Sequence, residues 1–183
     1  MMNFKQQLAN YILGNLNTSD LPKIGLIGLQ SGLESESLII LAGLSEKDNL
    51  FEIDAYFKKA IEELDIKLPE EAIAAIDLIN YYADLIKNKQ IDPYLGVEKI
   101  VNQVLFKNDL FKNEMFLFDS IGFQKIYSLF DTCCELECAD IPWDKEKTNN
   151  EWIEELKRDI IIEIENWLSY WGENQRRNGD FHQ

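Results

Sequence analysis

Three cysteines, Cys133, Cys134 and Cys138, crowd into one short segment and form the group in this sequence that looks most like a site. On a helix, Cys134 and Cys138 stand one turn apart and share a face, with Cys133 on the adjoining stripe. Thiolates at that spacing could bind a soft metal, but a structural zinc site needs four Cys or His ligands. The sole histidine, His182, is the penultimate residue, far from the cysteines. The three thiols therefore read as small hydrophobes of a core, with a redox-sensitive thiol as the alternative. A single histidine in a polar tail also leaves a serine or cysteine nucleophile without its usual base.

Carboxylates are abundant, and several stand in pairs: Glu34 with Glu36, Glu62 with Glu63, Glu70 with Glu71, and Glu154 with Glu155. Neighbouring positions on a helix point about 100° apart, which does not build a catalytic dyad. The Glu-x-x-His signature of di-metal bundles and the EF-hand calcium loop are both absent. These acids read as a solvated face. Gly25, Gly28 and Gly32 are spaced three and four apart, which lines one side of a helix instead of cradling a phosphate. The sequence thus nominates no catalytic, cofactor-binding or metal-ligating residue, and the chain is expected to act without enzymatic chemistry.

Of the four tryptophans, Trp167 and Trp171 fall on an apolar helical stripe and belong in a core. Trp143 differs. It sits in the loop Asp140-Ile141-Pro142-Trp143-Asp144, flanked by acids. A loop tryptophan between carboxylates suits a hot spot for a basic protein, so Asp140, Trp143 and Asp144 are the candidate partner-binding residues. The alternative is a lid packed down on the bundle.

The balance of charge supports that direction. The 183 residues carry 18 basic and 33 acidic side chains, a formal charge of −15. Such a chain lacks the basic footprint that displaces counterions from nucleic acid, and an anionic membrane surface would repel it. A basic protein would be captured through electrostatic steering. No run approaches the ~18 apolar residues of a membrane span, and the N-terminus does not have the layout of a signal peptide. Clustered, odd-numbered cysteines do not make a disulfide framework, so the expected location is the reducing cytoplasm.

The elements that must position these residues are helical throughout. Asn3 is the expected cap of a first helix carrying Phe4, Leu8, Tyr11 and Ile12, which ends near Gly14. Asp20 before Leu21-Pro22 pairs a cap with a first-turn proline. It opens an apolar segment to Gln30 that should be buried, with glycines allowing close helix packing. A short helix follows around Leu38 to Ala42. Then comes the clearest stripe: Leu50, Ile53, Phe57, Ala60, Ile61 and Leu64.

Leu68-Pro69 starts another helix, with stripe Ala72, Ile76, Ile79, Ala83 and Ile86. Asp92-Pro93 repeats the cap-proline device before Val97, Ile100, Val101, Val104 and Leu105. Residues 107 to 119 suit a buried turn or a short extended segment. Asp119 or Ser120 is the expected cap of a helix with Ile126, Leu129, Phe130 and Cys133. Asn149 or Asn150 should cap the last helix, striped by Ile153, Leu156, Ile160, Ile164, Trp167, Leu168 and Trp171. These make an all-α bundle of seven or eight helices, mostly antiparallel neighbours, as one domain over 1–172 with a polar tail at 173–183.

The segment SLIILAGL ending at Leu44, the run AIEELDIKLP from Ala60 to Pro69, and IDPYLGVEKI from Ile91 to Ile100 together resemble a family of small, uncharacterised bacterial helical proteins. The resemblance spans about residues 20 to 105. It implies a helical fold and a bacterial source, and it carries no activity and no functional residue. Where the family pattern has Glu-Leu-Gly, this chain has Glu63-Leu64-Asp65, so the glycine that would end the helix is missing. From all this the expected function is a protein-binding module, in one version an immunity- or antitoxin-like inhibitor of a basic protein. The alternative is a self-associating structural or regulatory protein, with a homodimer as its simplest form.

Overall fold

The computed structural model describes residues 2–107, 118–139, 143 and 146–178, with backbone alone for 171–178. Every regular element among them is helical: α1 (Phe4–Ile12), α2 (Leu21–Gln30), α3 (Glu36–Gly43), α4 (Leu50–Glu63), α5 (Glu71–Lys87), α6 (Pro93–Ile100), α7 (Gln124–Cys138) and α8 (Asn149–Asn178). A 3₁₀ turn, Thr18–Asp20, leads into α2, and a π-helical segment, Val101–Leu105, extends α6. The all-α expectation holds. Contacts group the chain into two units, Met1–Leu78 and Ile79–Gln183, with the division falling inside α5.

In the first unit, α2 packs on α1, α3 and α4. Its core gathers Phe4, Leu8, Leu21, Ile24, Leu41, Ile53, Phe57 and Ile61. The glycines of α2 explain the approach. A Cβ on Gly25 would lie 3.0 Å from the backbone nitrogen of Ala42, and one on Gly28 would lie 2.9 Å from the Phe4 ring. Both sites exclude even alanine without a shift. The expectation that α2 is buried all round fails at Leu26, which is 49 % exposed. The glycines let one face sink so close to its neighbours that the opposite face stays in water.

Caps decide where the helices start. Asn3 and Gln6 form a reciprocal box, with bonds of 3.0 and 2.8 Å to each other's backbone N–H groups. Ser35 caps α3, and Asn49 caps α4. Asp92 caps α6, accepting from the N–H groups of Tyr94 and Leu95. Asp20 does not cap α2 as expected. Its carboxylate reaches back to the Asn17 N–H at 3.0 Å, because the 3₁₀ turn already occupies the entry to the helix.

The ends of α1, α2, α4 and α5 share one device. At Gly14, Gly32, Asp65 and Lys89 the chain turns left-handed, with φ of 65°, 84°, 50° and 55°. Each turn is closed by a 6→1 backbone bond, such as Ile66 N–H to Ile61 carbonyl at 3.0 Å and Gln90 N–H to Leu85 carbonyl at 2.8 Å. This is the Schellman arrangement. Asp65 therefore takes the left-handed conformation that glycine usually supplies at such a turn.

The second unit holds the latter part of α5, then α6, α7 and α8, with α7 and α8 packed together and α6 touching both. Gly96 lets α6 sit against α5, where a Cβ would come within 2.5 Å of Ile86 Cγ1. The α5 stripe matches the expected one at Ile79, Ala83 and Ile86 and departs from it at Ala72. Ala74, Ala75, Leu78, Ile79, Tyr82, Ala83 and Ile86 are buried, whereas Ala72 is exposed. This helix is apolar over more than one stripe, so periodicity alone does not choose its inward side. The helix α7 begins at Gln124 after a turn with Gly122 at φ 65°, with no side-chain cap, so neither Asp119 nor Ser120 caps it. Of the uncertain segment before it, Phe118 is buried and left-handed, and residues 108–117 lie outside the described residues. The last helix runs past Gly172 to Asn178, beyond the expected domain end. On α8, Ile153, Ile160, Ile164 and Trp167 are buried as the stripe requires. The Trp167 indole N–H donates to the Ile121 carbonyl at 2.7 Å.

Candidate functional site

The three cysteines separate by environment. Cys133 is buried, Cys134 is half-buried and Cys138 is exposed, and all are free thiols. The core reading thus holds for Cys133 alone, because the α7 stripe that turns inward carries position 133 and rotates 138 to solvent. Burial pushes the Cys133 thiol up to about 11. Burial also raises Cys134, whose sulfur lies 3.5 Å from the Tyr94 hydroxyl. That hydrogen bond, then burial and the nearby Glu137, raise the Tyr94 phenol. A thiol held protonated this way is a poor nucleophile. Among the described residues, no set of three or more Cys, His, Asp or Glu side chains converges as a metal ion requires.

The acid pairs also separate. Glu63, expected on a solvated face, spans from the end of α4 to the start of α3. Its two oxygens accept the Ser37 N–H at 2.9 Å and the Ser37 hydroxyl at 2.8 Å. Those two bonds, backbone first, hold its carboxyl down at about 2. A carboxylate there also meets the positive end of α3.

The corner between α7 and α8 contains Trp143, the one expected site residue that is described; Asp140 and Asp144 lie outside the described residues. The Trp143 side chain is 56 % exposed, so the lid reading does not describe it. Its backbone N–H donates to Asn149 Oδ1 at 3.3 Å. The amide nitrogen of Asn149 donates to the carbonyls of Leu136 and Ala139 at 3.1 and 3.2 Å. Asn149 is therefore a staple joining the end of α7, the loop and the start of α8. It is not the cap of α8, because Thr148 takes that role. The Thr148 N–H and hydroxyl donate to Glu151 at 2.8 and 2.9 Å, and the Glu151 N–H donates back to the Thr148 hydroxyl. This Thr-x-x-Glu box was present in the sequence as the signal that outranks Asn149.

Next to the box, Lys147 folds onto α8. Its ammonium contacts both Glu155 oxygens at 2.8 Å and sits 4.4 Å from the centre of the Trp152 ring. A shallow groove of about 340 Å³ runs beside it, lined by Lys147, Asn150, Glu151, Glu154, Glu155 and Arg158. From Asn149 to Tyr170, α8 carries Glu151, Glu154, Glu155, Asp159, Glu163 and Glu165 against Lys157 and Arg158. Lys157 is engaged with Asp92 and Glu154, each at 3.0 Å, and Glu163 with Lys125 at 2.7 Å. Asp159 and Glu165 are exposed, on the same side as the exposed side chains of Ile162 and Tyr170.

This corner has one exposed indole, a backbone anchor behind it and an acid-rich helix face. No described helix is long and apolar enough to cross a membrane. Comparison with protein-family models, with curated proteins and with solved structures finds no match for the chain.

Proposed function

We propose that the chain is a non-enzymatic protein-binding module, and that its partner is a basic protein docking on Trp143 and the outer face of α8. The observation that carries this reading is Trp143 itself: an exposed indole whose backbone is tied to Asn149, beside a helix face where acids outnumber bases. A large aromatic such as tryptophan is a common hot-spot residue, and the acids near it would speed encounter with a basic partner. An immunity- or antitoxin-like inhibitor of a basic toxin or nuclease is one form this takes. The free thiols suit a cytoplasmic setting. The resemblance to the bacterial helical family belongs to the same proposal and brings no activity with it. The test is capture from host lysate at low and high salt, using the native chain, Trp143→Ala and Asp159→Lys. A basic protein retained by the native chain at low salt, released at high salt and lost in both variants supports the reading. Retention that ignores salt and both variants overturns it.

A second reading, self-association, has its own observation in the unit Met1–Leu78. There Phe51 is 88 % exposed, with Leu26, Ile39 and Leu50 each about half exposed. Leu26 also borders an apolar groove of about 440 Å³ with Leu16, Ile24 and Ile27. Sedimentation of the native chain and of Phe51→Ser separates the two: a dimer lost in Phe51→Ser favours self-association, and a monomer favours the first reading.

A further inference from the structure

We propose that Trp152 and Glu155 form a receptor for a lysine side chain of the partner, and that Lys147 occupies it in the free protein. The inference rests on the docking reading above and names how the partner would engage. Three observations meet at this point. The Lys147 ammonium has both oxygens of one carboxylate and an indole face around it, at 2.8, 2.8 and 4.4 Å. An aromatic face beside a carboxylate is a combination that binds an organic cation, and here it holds a primary ammonium. The contact is also open to exchange: the Lys147 and Glu155 side chains keep 40 % and 36 % of their exposure, and they line the same groove. Finally, the Trp152 indole N–H is shielded from water with no acceptor among the described residues. An orphaned donor of this kind is unfavourable, so a shift of the ring that let it meet a carbonyl beside the incoming lysine would add to binding.

Lys147 is well placed to act as a tethered competitor. It directly precedes Thr148, whose box with Glu151 fixes the start of α8. Releasing Lys147 therefore breaks no capping bond of the helix. Displacement exchanges one ammonium for another, so the receptor stays filled in both states and the partner's lysine is selected by what accompanies it. Competition of this kind weakens apparent affinity by the fraction of time the receptor is empty. If Lys147 occupies it about four-fifths of the time, removing it should tighten binding about fivefold.

The test uses penta-lysine as the probe and the indole N–H resonances of the full chain as the readout, with the Trp152 signal identified by Trp152→Phe. Lys147→Gln is compared with Lys99→Gln, which makes the same charge change at an exposed lysine of α6. The expected result is a Trp152 titration midpoint about fivefold lower in Lys147→Gln than in the native chain. Lys99→Gln should stay within about twofold of native, and Lys147→Gln/Glu155→Gln should lose the gain. Equal shifts in both single variants, or a Trp152 signal that stays still while others move, overturn the receptor and leave the acidic docking face standing. A probe that moves no resonance in any variant overturns both.

Discussion

Lys89→Gly should stabilise the protein, although it removes a lysine from a helix end, because it puts in the residue that a left-handed helix end usually carries. Lys89 sits at φ 55° directly after the last residues of α5, where the Lys89 N–H meets the Ile86 carbonyl at 2.9 Å and the Gln90 N–H meets the Leu85 carbonyl at 2.8 Å. A residue with a Cβ held left-handed gives up about 1–2 kcal/mol. Glycine relieves that but adds about 0.4–1 kcal/mol of chain entropy to the unfolded state. The side chain is exposed, so little else changes, and the net gain is about 0.5–1 kcal/mol. For a chain of this size that raises Tm by about 1–4 °C. Asp65→Gly, at φ 50°, should gain less, since aspartate visits this region more readily than lysine does. The control is Lys89→Ala, which keeps the strained backbone and should leave Tm unchanged. The converse is Gly32→Ala, where a new Cβ would meet nothing within 4 Å at φ 84°, so its cost of about 1 kcal/mol would be purely conformational. Thermal unfolding of the four variants decides the matter. A loss of stability in Lys89→Gly, or a gain in Lys89→Ala equal to it, would refute the argument that backbone strain is what these turns hold.

Glu63→Gln should make unfolding less sensitive to acid. The native carboxyl, held at about 2 by Ser37, is depressed below its unfolded value. Its contribution is therefore complete above the ordinary carboxylate range and fades as pH falls from there toward 2; a circular-dichroism titration of both proteins reads the difference. Gly96→Ala should lose about 1–3 kcal/mol through overpacking, because its Cβ would sit 2.5 and 2.7 Å from Ile86 Cγ1 and Cδ1. Combining it with Ile86→Ala, which removes both atoms, should be clearly non-additive in denaturant unfolding. Asn149→Ala should cost about 1–3 kcal/mol by leaving α7 carbonyls without a donor, and amide exchange at Trp143 should quicken. Alkylation by a neutral maleimide, followed by mass spectrometry, should label Cys138 first and Cys133 last, in the order of their exposure.

The helical architecture was legible because its signals are local. Asn3, Asp92-Pro93 and the stripes of α4 and α8 each depend on residues within a turn or two of one another. What escaped was set by residues distant in the chain or by competition between equal local signals. The inward side of α5 was legible at Ile79, Ala83 and Ile86 but not at Ala72, because the helix is apolar on several sides, and Ile86 against Gly96 is one contact that fixes the choice. The role of Glu63 depends on Ser37, 26 positions away, and no spacing rule connects them. Asn149 or Asn150 was the expected cap of α8, but the glutamate three residues after Thr148 was the deciding feature, and Asn149 was thereby released to tie α7 to the loop. Trp143 stands out in the sequence because an aromatic between acids is conspicuous. Lys147 does not, because its partners Trp152 and Glu155 become neighbours only once α8 is wound.

The acidity of the chain also divides once the bonds are counted by position, and the division decides which acids can inform on binding. Asp20, Asp48, Glu63, Asp92 and Glu151 each accept a backbone N–H at the start of a helix or turn. Anions in those places satisfy donors that the helix leaves open, so their charge is structural. Changing any of them would loosen a helix end and could mimic a lost interface. Glu154 and Glu163 are tied to lysines. On the outer face of α8 this leaves Asp159 and Glu165 as acids without an ion-pair partner among the described residues. Charge reversal at these two should therefore lower the salt-dependent association rate of a basic partner while leaving thermal unfolding nearly unmoved, since exposed charges contribute little to stability. A reversal that changed Tm as much as association would mean that the α8 acids serve the fold, and the docking face would have to be sought elsewhere.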